Sequence, residues 1–279
     1  MTGRNSRTFL VRLWGVRGSI PAPGATTVRY GGETTCMEVR IGERVLIIDC
    51  GTGIRHLGAA MSREGVRDVD LLLTHTHLDH VCGLPFFAPA YDKDVSVRFW
   101  AGHLGAEEGT LEDVLKRMMS PPIFPMSVCG LTGVTFNAFS PGDRLPLGGS
   151  FTVDTMLLNH PGGAIAYRIS CDDRVFCTVT DHEHGNPEID ARLADFVAGA
   201  DAMIYDTMYT EQEYQSHVGW GHSTWEKCLD LAERADVRMP ILFHHDPDRT
   251  DDELDRLADV IRKRHGGAMI AHQGLELSL

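Results

Sequence analysis

The segment Val69-Asp-Leu-Leu-Leu-Thr-His-Thr-His-Leu-Asp-His80 constrains this chain more than any other: an apolar run that reads as a strand ends in His75, His77, Asp79 and His80. In extended chain, residues two apart face the same way, so His75 and His77 can close on one metal ion. If the chain then turns into a helix, Asp79 and His80 point elsewhere, and one short peptide can serve two metals. Mixed imidazole and carboxylate donors suit zinc and also manganese or iron, so the spacing gives a metal site without naming the metal.

The same geometry, an apolar strand delivering a polar residue at its C-terminal end, recurs along the chain. It appears in Leu157-Leu158-Asn159-His160, in Phe176 to Thr180 followed by Asp181, and in Ile241-Leu242-Phe243 followed by His244-His245. Asp49 after Val45 to Ile48 and Asp206 after Ala202 to Tyr205 follow the same rule. Strand ends are where α/β proteins build their sites.

Periodicity predicts strands over Phe9 to Leu13, Cys36 to Arg40, Val45 to Ile48, Val69 to Leu73, Val95 to Trp100 and Val134 to Phe139. Further strands are expected over Phe151 to Leu158, Ala164 to Ser170, Arg174 to Val179, Ala202 to Tyr205 and Met239 to Phe243. Capping-box spacings at Ser223/Glu226 and Thr250/Glu253 predict helices from about Thr224 to Ala235 and from Asp251 to His265. Asn186-Pro187 opens another as N-cap and first position, and Thr110 to Met119 is a candidate stopped by Pro121-Pro122. No linker, repeat or low-complexity tract divides the sequence, so residues 1–279 read as one α/β domain, sheets packed together with helices outside.

Composition narrows the function. With 43% hydrophobic and 23% charged residues the chain is neither disordered nor fibrous. Lys plus Arg is 26 against 39 acids, a net charge of -13, so the summed field repels polyanions and any anionic substrate needs a local positive device. No apolar run approaches the roughly 18 residues that span a bilayer. The opening MTGRNSRTFLVRLWG lacks an apolar leader core, so a cytoplasmic location is expected. The seven Cys form no CxxC pair and read as reduced thiols.

Taken in order, Asp49 in IIDCGTG, the THTHLDH block, His160 in NHPGG, Asp181 in TDHE and His244 in LFHHDP resemble the metallo-β-lactamase superfamily. Within it, GSIPAPG, RYGGETTC and GHST are similar to the phosphodiesterase branch, which holds ribonuclease Z and the cyclic-phosphate phosphodiesterase associated with phosphonate breakdown. The resemblance implies a four-layer αββα sandwich with the site along one edge of the paired sheets. It puts His75, His77 and His160 on one metal, Asp79, His80 and His244 on the other, and Asp181 between them. Two divalent ions are implied, zinc first, with manganese or iron as alternatives. Two cations roughly 3.5 to 4 Å apart need such an anionic bridge, and they lower the pKa of a shared water towards about 7 while clamping phosphate oxygens. His244 and His245 compete for one position, and His244 directly follows the strand as in the family's last motif. His182 and His184 are expected behind the ligands or on the surface, and Asp49 as a buried carboxylate that organises the loops.

The resemblance also assigns catalytic roles to His222, Asp206 and Asp79. His222 precedes a helix N-terminus and would give a proton to the departing oxygen, with Asp206 orienting its ring. Arg17 is a further candidate, a loop guanidinium that would meet a phosphate bidentately. GTG at Gly51 to Gly53 is expected only to turn the chain.

The expected substrate is a small, or cyclic, phosphodiester. Transfer-RNA 3′-processing would call for a basic arm, and Gly109 to Gly133 offers only Lys116 and Arg117, so nucleic acid is not expected as a partner, nor is a membrane. A homodimer is compatible with the sequence. Lactonase-like hydrolysis of carbon esters or amides is the alternative chemistry on the same metal core.

Overall fold

Side chains alternate between two packed layers along nearly every strand of the computed structural model, which describes residues 8–279. Residues 1–7, part of the stretch read for a leader, lie outside the described residues. The first half of the chain runs β1 (Phe9–Gly15), β2 (Cys36–Ile41), β3 (Arg44–Ile48), α1 (Ile54–Glu64), β4 (Asp68–Leu72), α2 (Leu78–Val81), β5 (Ser96–Ala101), α3 (Leu111–Met118) and β6 (Val134–Ala138). The second half runs β7 (Phe151–Leu158), β8 (Ala164–Cys171), β9 (Arg174–Val179), α4 (Pro187–Val197), β10 (Ala202–Asp206), α5 (Glu211–Tyr214), α6 (Trp225–Arg234), β11 (Pro240–Phe243), α7 (Asp251–Arg264), β12 (Met269–Ile270) and β13 (Glu276–Ser278).

Two sheets result. One has the order β13-β1-β2-β3-β4-β5-β6, the other β12-β11-β10-β9-β8-β7. Hairpin connections make β1, β2 and β3 antiparallel, as they do β7, β8 and β9. Crossovers make β3 to β6 and β9 to β12 parallel, as chain returning over a sheet face must. β13 closes the chain beside β1.

Burial explains the layers. Leu46, Ile48 and Leu72 of one sheet and Ile165, Ile204, Ile241 and Phe243 of the other share the apolar filling between the sheets. Their strand neighbours face outward: Ile47, Leu71 and Val97 pack with Ile54, Leu57 and Leu115 of α1 and α3. Met203, Tyr205 and Leu242 pack with residues of α4, α6 and α7, among them Leu193, Leu229 and Ile261. This is the αββα sandwich, with parallel strands buried on both faces as their near-continuous hydrophobic runs require.

The structure revises several sequence expectations. The eleven expected strands form within two residues of their expected bounds, while β12 and β13, two and three residues long, carry too little pattern to be seen. α1 begins after Gly53 without a side-chain cap or an acid in its first turn, so no start signal marks it; burial of Ile54, Leu57 and Met61 holds it. Ser223 is not the cap of α6. Thr224 takes that place, its hydroxyl accepting from the Lys227 N–H, because the Ser223 hydroxyl is engaged by His184 and Tyr205. Thr250/Glu253 does form a capping box, and Asn186 caps α4 ahead of Pro187. None of the seven cysteines, all of them among the described residues, forms a disulfide.

Arg17 departs most from expectation. Its side chain is fully buried, with Nε donating to the Gly31 carbonyl at 2.8 Å and Nη1 to the carbonyls of Asp246 at 3.0 Å and Arg249 at 2.7 Å. The guanidinium therefore joins the β1–β2 loop to the loop after β11 and does not face a substrate. Charged donors on buried carbonyls are strong, and removing them strands the acceptors. Arg17→Met is expected to lower unfolding free energy by about 3 kcal/mol in urea titrations; a variant as stable as the parent would contradict this role.

Candidate metal centre

Six strand ends deliver these polar residues to one edge of the sandwich. β3 is followed by Asp49, β4 leads through Leu73 and Thr74 into His75, and β7 leads through Asn159 to His160. β9 leads through Thr180 to Asp181, β10 ends on Asp206, and β11 is followed by His244. Asp49, Asp181 and His244 adopt left-handed backbone, with φ of 62°, 59° and 60°. Such turns let a parallel strand stop abruptly with its last side chain aimed along the edge, at a strain of about 1–3 kcal/mol each.

The His/Asp block divides at the turn that follows His77. His75 and His77 pack edge to face with ring centroids 4.5 Å apart, and the turn into α2 carries Asp79 and His80 to the other side. Donor atoms of His75, His77 and His160 lie within 4.8 Å of one another, as do those of Asp79, His80 and His244. Asp181 stands between the groups. Its Oδ1 is 3.8 Å from His75 Nε2 and 3.9 Å from His160 Nε2, while its Oδ2 is 3.2 Å from His80 Nε2 and 3.4 Å from His244 Nε2.

These residues fit divalent cations. His75 Nε2 and His80 Nε2 are buried and have no hydrogen-bond partner, a costly condition unless a cation takes the lone pair. Ligands about 2.0–2.2 Å from a tetrahedral ion lie about 3.3–3.5 Å apart, close to the separations around Asp181. The other ring nitrogens are fixed from behind. His80 Nδ1 donates to Asp49 Oδ2 at 2.8 Å and His160 Nδ1 to the Gly221 carbonyl at 2.8 Å, leaving each Nε2 free to ligate. The Thr74 N–H and hydroxyl in turn hold Asp49.

Electrostatics agree. Burial keeps His75 well below the usual imidazole range, and it lowers His77 and His160 too, so these rings are neutral, as ligands must be. Burial pushes the Asp181 carboxyl up, yet His244, His80 and His75 hold it well below the ordinary carboxylate range. Burial also opposes charge on His80, but Asp79, Asp181 and Asp49 outweigh it and raise the ring well above its ordinary value. A cation bound at His80 Nε2 would therefore displace a proton.

His222 lies beside this group, Nδ1 2.7 Å from Asp206 Oδ2 and 3.8 Å from Asp181 Oδ1. Burial lowers its basicity, the Asp206 carboxylate more than compensates, and its pKa rises to about 9. His245 faces away: Nε2 donates to the Ala271 carbonyl at 2.8 Å, and burial pushes the ring down to about 3. His182 and His184 also lie outside the centre, the first 3.3 Å from Asp190, the second bonded to the Ser223 hydroxyl at 2.8 Å.

Sequence reasoning passed over three contributors. His103 donates or accepts at the Thr76 hydroxyl at 3.0 Å and packs edge-on to His75. Glu183, within the TDHE motif, accepts from the N–H groups of Gly219 and Gly221 and so steadies the carbonyl that holds His160. Ser19 donates its N–H to Asp79 Oδ2 at 2.8 Å. Only the position of Glu183 beside a ligand could have signalled its role.

A family profile described as a β-lactamase superfamily domain matches residues 44–245, a span that contains all seven candidate ligands together with Asp49, Asp206 and His222. The chain belongs to the β-lactamase superfamily. Its fold is the metallo-β-lactamase one and its class is hydrolase. Among curated relatives, a ribonuclease Z of Bradyrhizobium sp. is 25% identical over 259 residues, 77% of this chain and 85% of the relative. A ribonuclease Z of Gemmatimonas aurantiaca is 24% identical and covers 97% of this chain and 96% of its own length. Among solved structures, the metallo-β-lactamase fold protein YhfI of Bacillus subtilis superposes with a TM-score of 0.74 at 20% identity, over 98% of this chain and 100% of that one. A diphosphatase of the PhnP family gives 0.69 at 17% identity, over 97% and 98%.

The placement of the two adjacent histidines gives a direct test. Zinc-loaded protein is expected to hold two ions per chain by elemental analysis, falling to one in His244→Ala and staying at two in His245→Gln. Loss of an ion from His245→Gln alone would reverse the assignment.

Proposed function

We propose that this chain is a dinuclear metal-dependent phosphodiesterase acting on a small or cyclic phosphodiester. The observation that carries the reading is the Asp181 carboxylate, one oxygen facing the His75/His160 side and the other the His80/His244 side, with the His222–Asp206 pair 3.8 Å from its Oδ1. His75, His77 and His160 would hold one cation, Asp79, His80 and His244 the other, and Asp181 both. Zinc suits this donor set, and manganese or iron would also be accepted. Cations so held lower the pKa of water from about 15.7 towards about 7 and offset the charge of a phosphodiester.

The protein's own residues supply the rest. His222, held protonated by Asp206, stands ready to give its Nε2 proton to the departing alkoxide, while Nδ1 stays on the Asp206 carboxylate. Asp206 also accepts the Met208 N–H, which fixes the carboxylate and therefore the ring. Asp79 is oriented by the Ser19 N–H, and Thr74 and Asp49 set the His80 tautomer.

A second reading, transfer-RNA 3′-processing, is favoured by the relatives named ribonuclease Z. The net charge of -13 weighs against it. No helix among the described residues is long and apolar enough to cross a membrane. As separate proposals, residues 1–279 form one domain and the protein works in the cytoplasm.

Protein reconstituted with zinc or manganese is expected to hydrolyse bis(p-nitrophenyl) phosphate and to leave precursor transfer RNA uncut. Absence of turnover in both fully loaded forms would shift the reading to carbon-ester or amide hydrolysis, and RNA cleavage to the second reading. His222→Ala is expected to cut kcat about 100-fold or more for alkyl diesters, which need a proton on the leaving oxygen, and much less for nitrophenyl ones. Equal losses on both would remove His222 from the role.

A further inference from the structure

A ladder of rings leads out of the metal centre. His244 stacks on His222 with centroids 5.1 Å apart at 25°, His222 meets Tyr209 edge-on at 6.1 Å, Tyr209 stacks on His217 at 4.5 Å and 20°, and Trp220 closes edge-on to His217 at 4.9 Å. Tyr209 is buried, whereas Trp220 is 61% exposed, so the ladder ends in an indole open to solvent.

The segment that carries this indole is fixed to the centre. Glu183 accepts the Gly219 N–H at 2.7 Å and the Gly221 N–H at 2.8 Å, and Gly221 offers its carbonyl to His160 Nδ1 at 2.8 Å. A Cβ on Gly221 would lie 2.2 Å from that same nitrogen, and its φ of 88° also demands glycine. His217 is held from the other side, its Nδ1 donating to the Glu213 carbonyl at 2.7 Å. Trp220 thus stands at a set position one residue from the His160 anchor and two from His222.

The surroundings carry little charge to compete. The stretches 18–24, 76–91, 159–163 and 215–224, which bear Asp79, His80, His160, His222 and their neighbours, contain no Lys and no Arg. Leu78, between two of the centre's residues, and Val218, beside Gly219, are exposed. A substrate bearing several phosphates finds no Lys or Arg on these segments, whereas a planar ring finds an indole face.

We propose that Trp220, backed by His217, determines specificity by stacking on a planar ring carried by the alcohol that leaves with the proton of His222. This rests on the phosphodiesterase reading of the centre. An aryl alcohol and a nucleoside both supply such a ring, and both stack on tryptophan without directional hydrogen bonds.

Calorimetric titration of the zinc-loaded protein with slow-reacting monoanionic esters separates the possibilities. Phenyl methylphosphonate and cyclohexyl methylphosphonate share charge and size and differ in planarity, and adenosin-5′-yl methylphosphonate serves as the nucleoside arm. The parent protein is expected to bind the phenyl ester about five- to tenfold more tightly than the cyclohexyl ester. Trp220→Ala should bring that ratio to about one with two ions still bound, and Trp220→Phe should restore most of it. Adenosyl binding tighter than phenyl and dependent on Trp220 assigns the ring to a nucleoside, weaker binding to an aryl alcohol. Equal binding of the planar and saturated esters, or an unchanged ratio in Trp220→Ala, overturns the proposal alone. Failure of every ester to bind overturns the phosphodiesterase reading and the proposal with it.

Discussion

Asp181 is a carboxylate buried in the middle of five imidazoles, and its ionised state is affordable only because those rings surround it. His75 and His80 come from the first sheet, while Asp181, His160, His222 and His244 come from the second half of the chain. The centre therefore exists only when the two sheets are stacked. The filling between them, with Leu72 and Ile48 against Ile204 and Phe243, sets the spacing at which oxygen and nitrogen face each other. Packing and chemistry share one constraint: a sandwich that slipped would strand a buried charge.

The chain meets that constraint with local strain. Asp49, Asp181 and His244 all leave their strands through left-handed backbone, where short polar side chains are tolerated better than branched ones. Glycines make room for the rings thus placed. A Cβ on Gly18 would come within 2.4 Å of the His244 ring, as one on Gly221 would of His160. These glycines belong to the GSIPAPG and GHST segments, which explains why motifs without ligands of their own accompany the ligand motifs. Buried Arg17 then ties the first of these loops to the segment after His244.

Legibility followed the range of the forces involved. The THTHLDH block could be read because period-two alternation and a turn into a helix are local, and they determine which way His75, His77, Asp79 and His80 point. The convergence of His160, Asp181 and His244 was visible as repeated strand ends, although only the resemblance to a family grouped them. His244 and His245 part company because the residue directly after β11 turns inward while the next reaches Ala271. Arg17 could not be read correctly, since its carbonyl partners lie up to 232 residues away. Ser223 and Thr224 offer neighbouring hydroxyls, and the contest between them is decided by His184, a tertiary contact. The helix α1 announces itself by no cap, and the ring ladder to Trp220 depends on four separate packings that no spacing reveals.

The central claim, that one carboxylate serves two metal ions, is tested most directly by anomalous diffraction from crystals of the zinc-loaded protein. The account predicts two peaks about 3.5 to 4 Å apart, one on each side of Asp181 and each touching one of its oxygens. A single peak, or two that do not share Asp181, would contradict it.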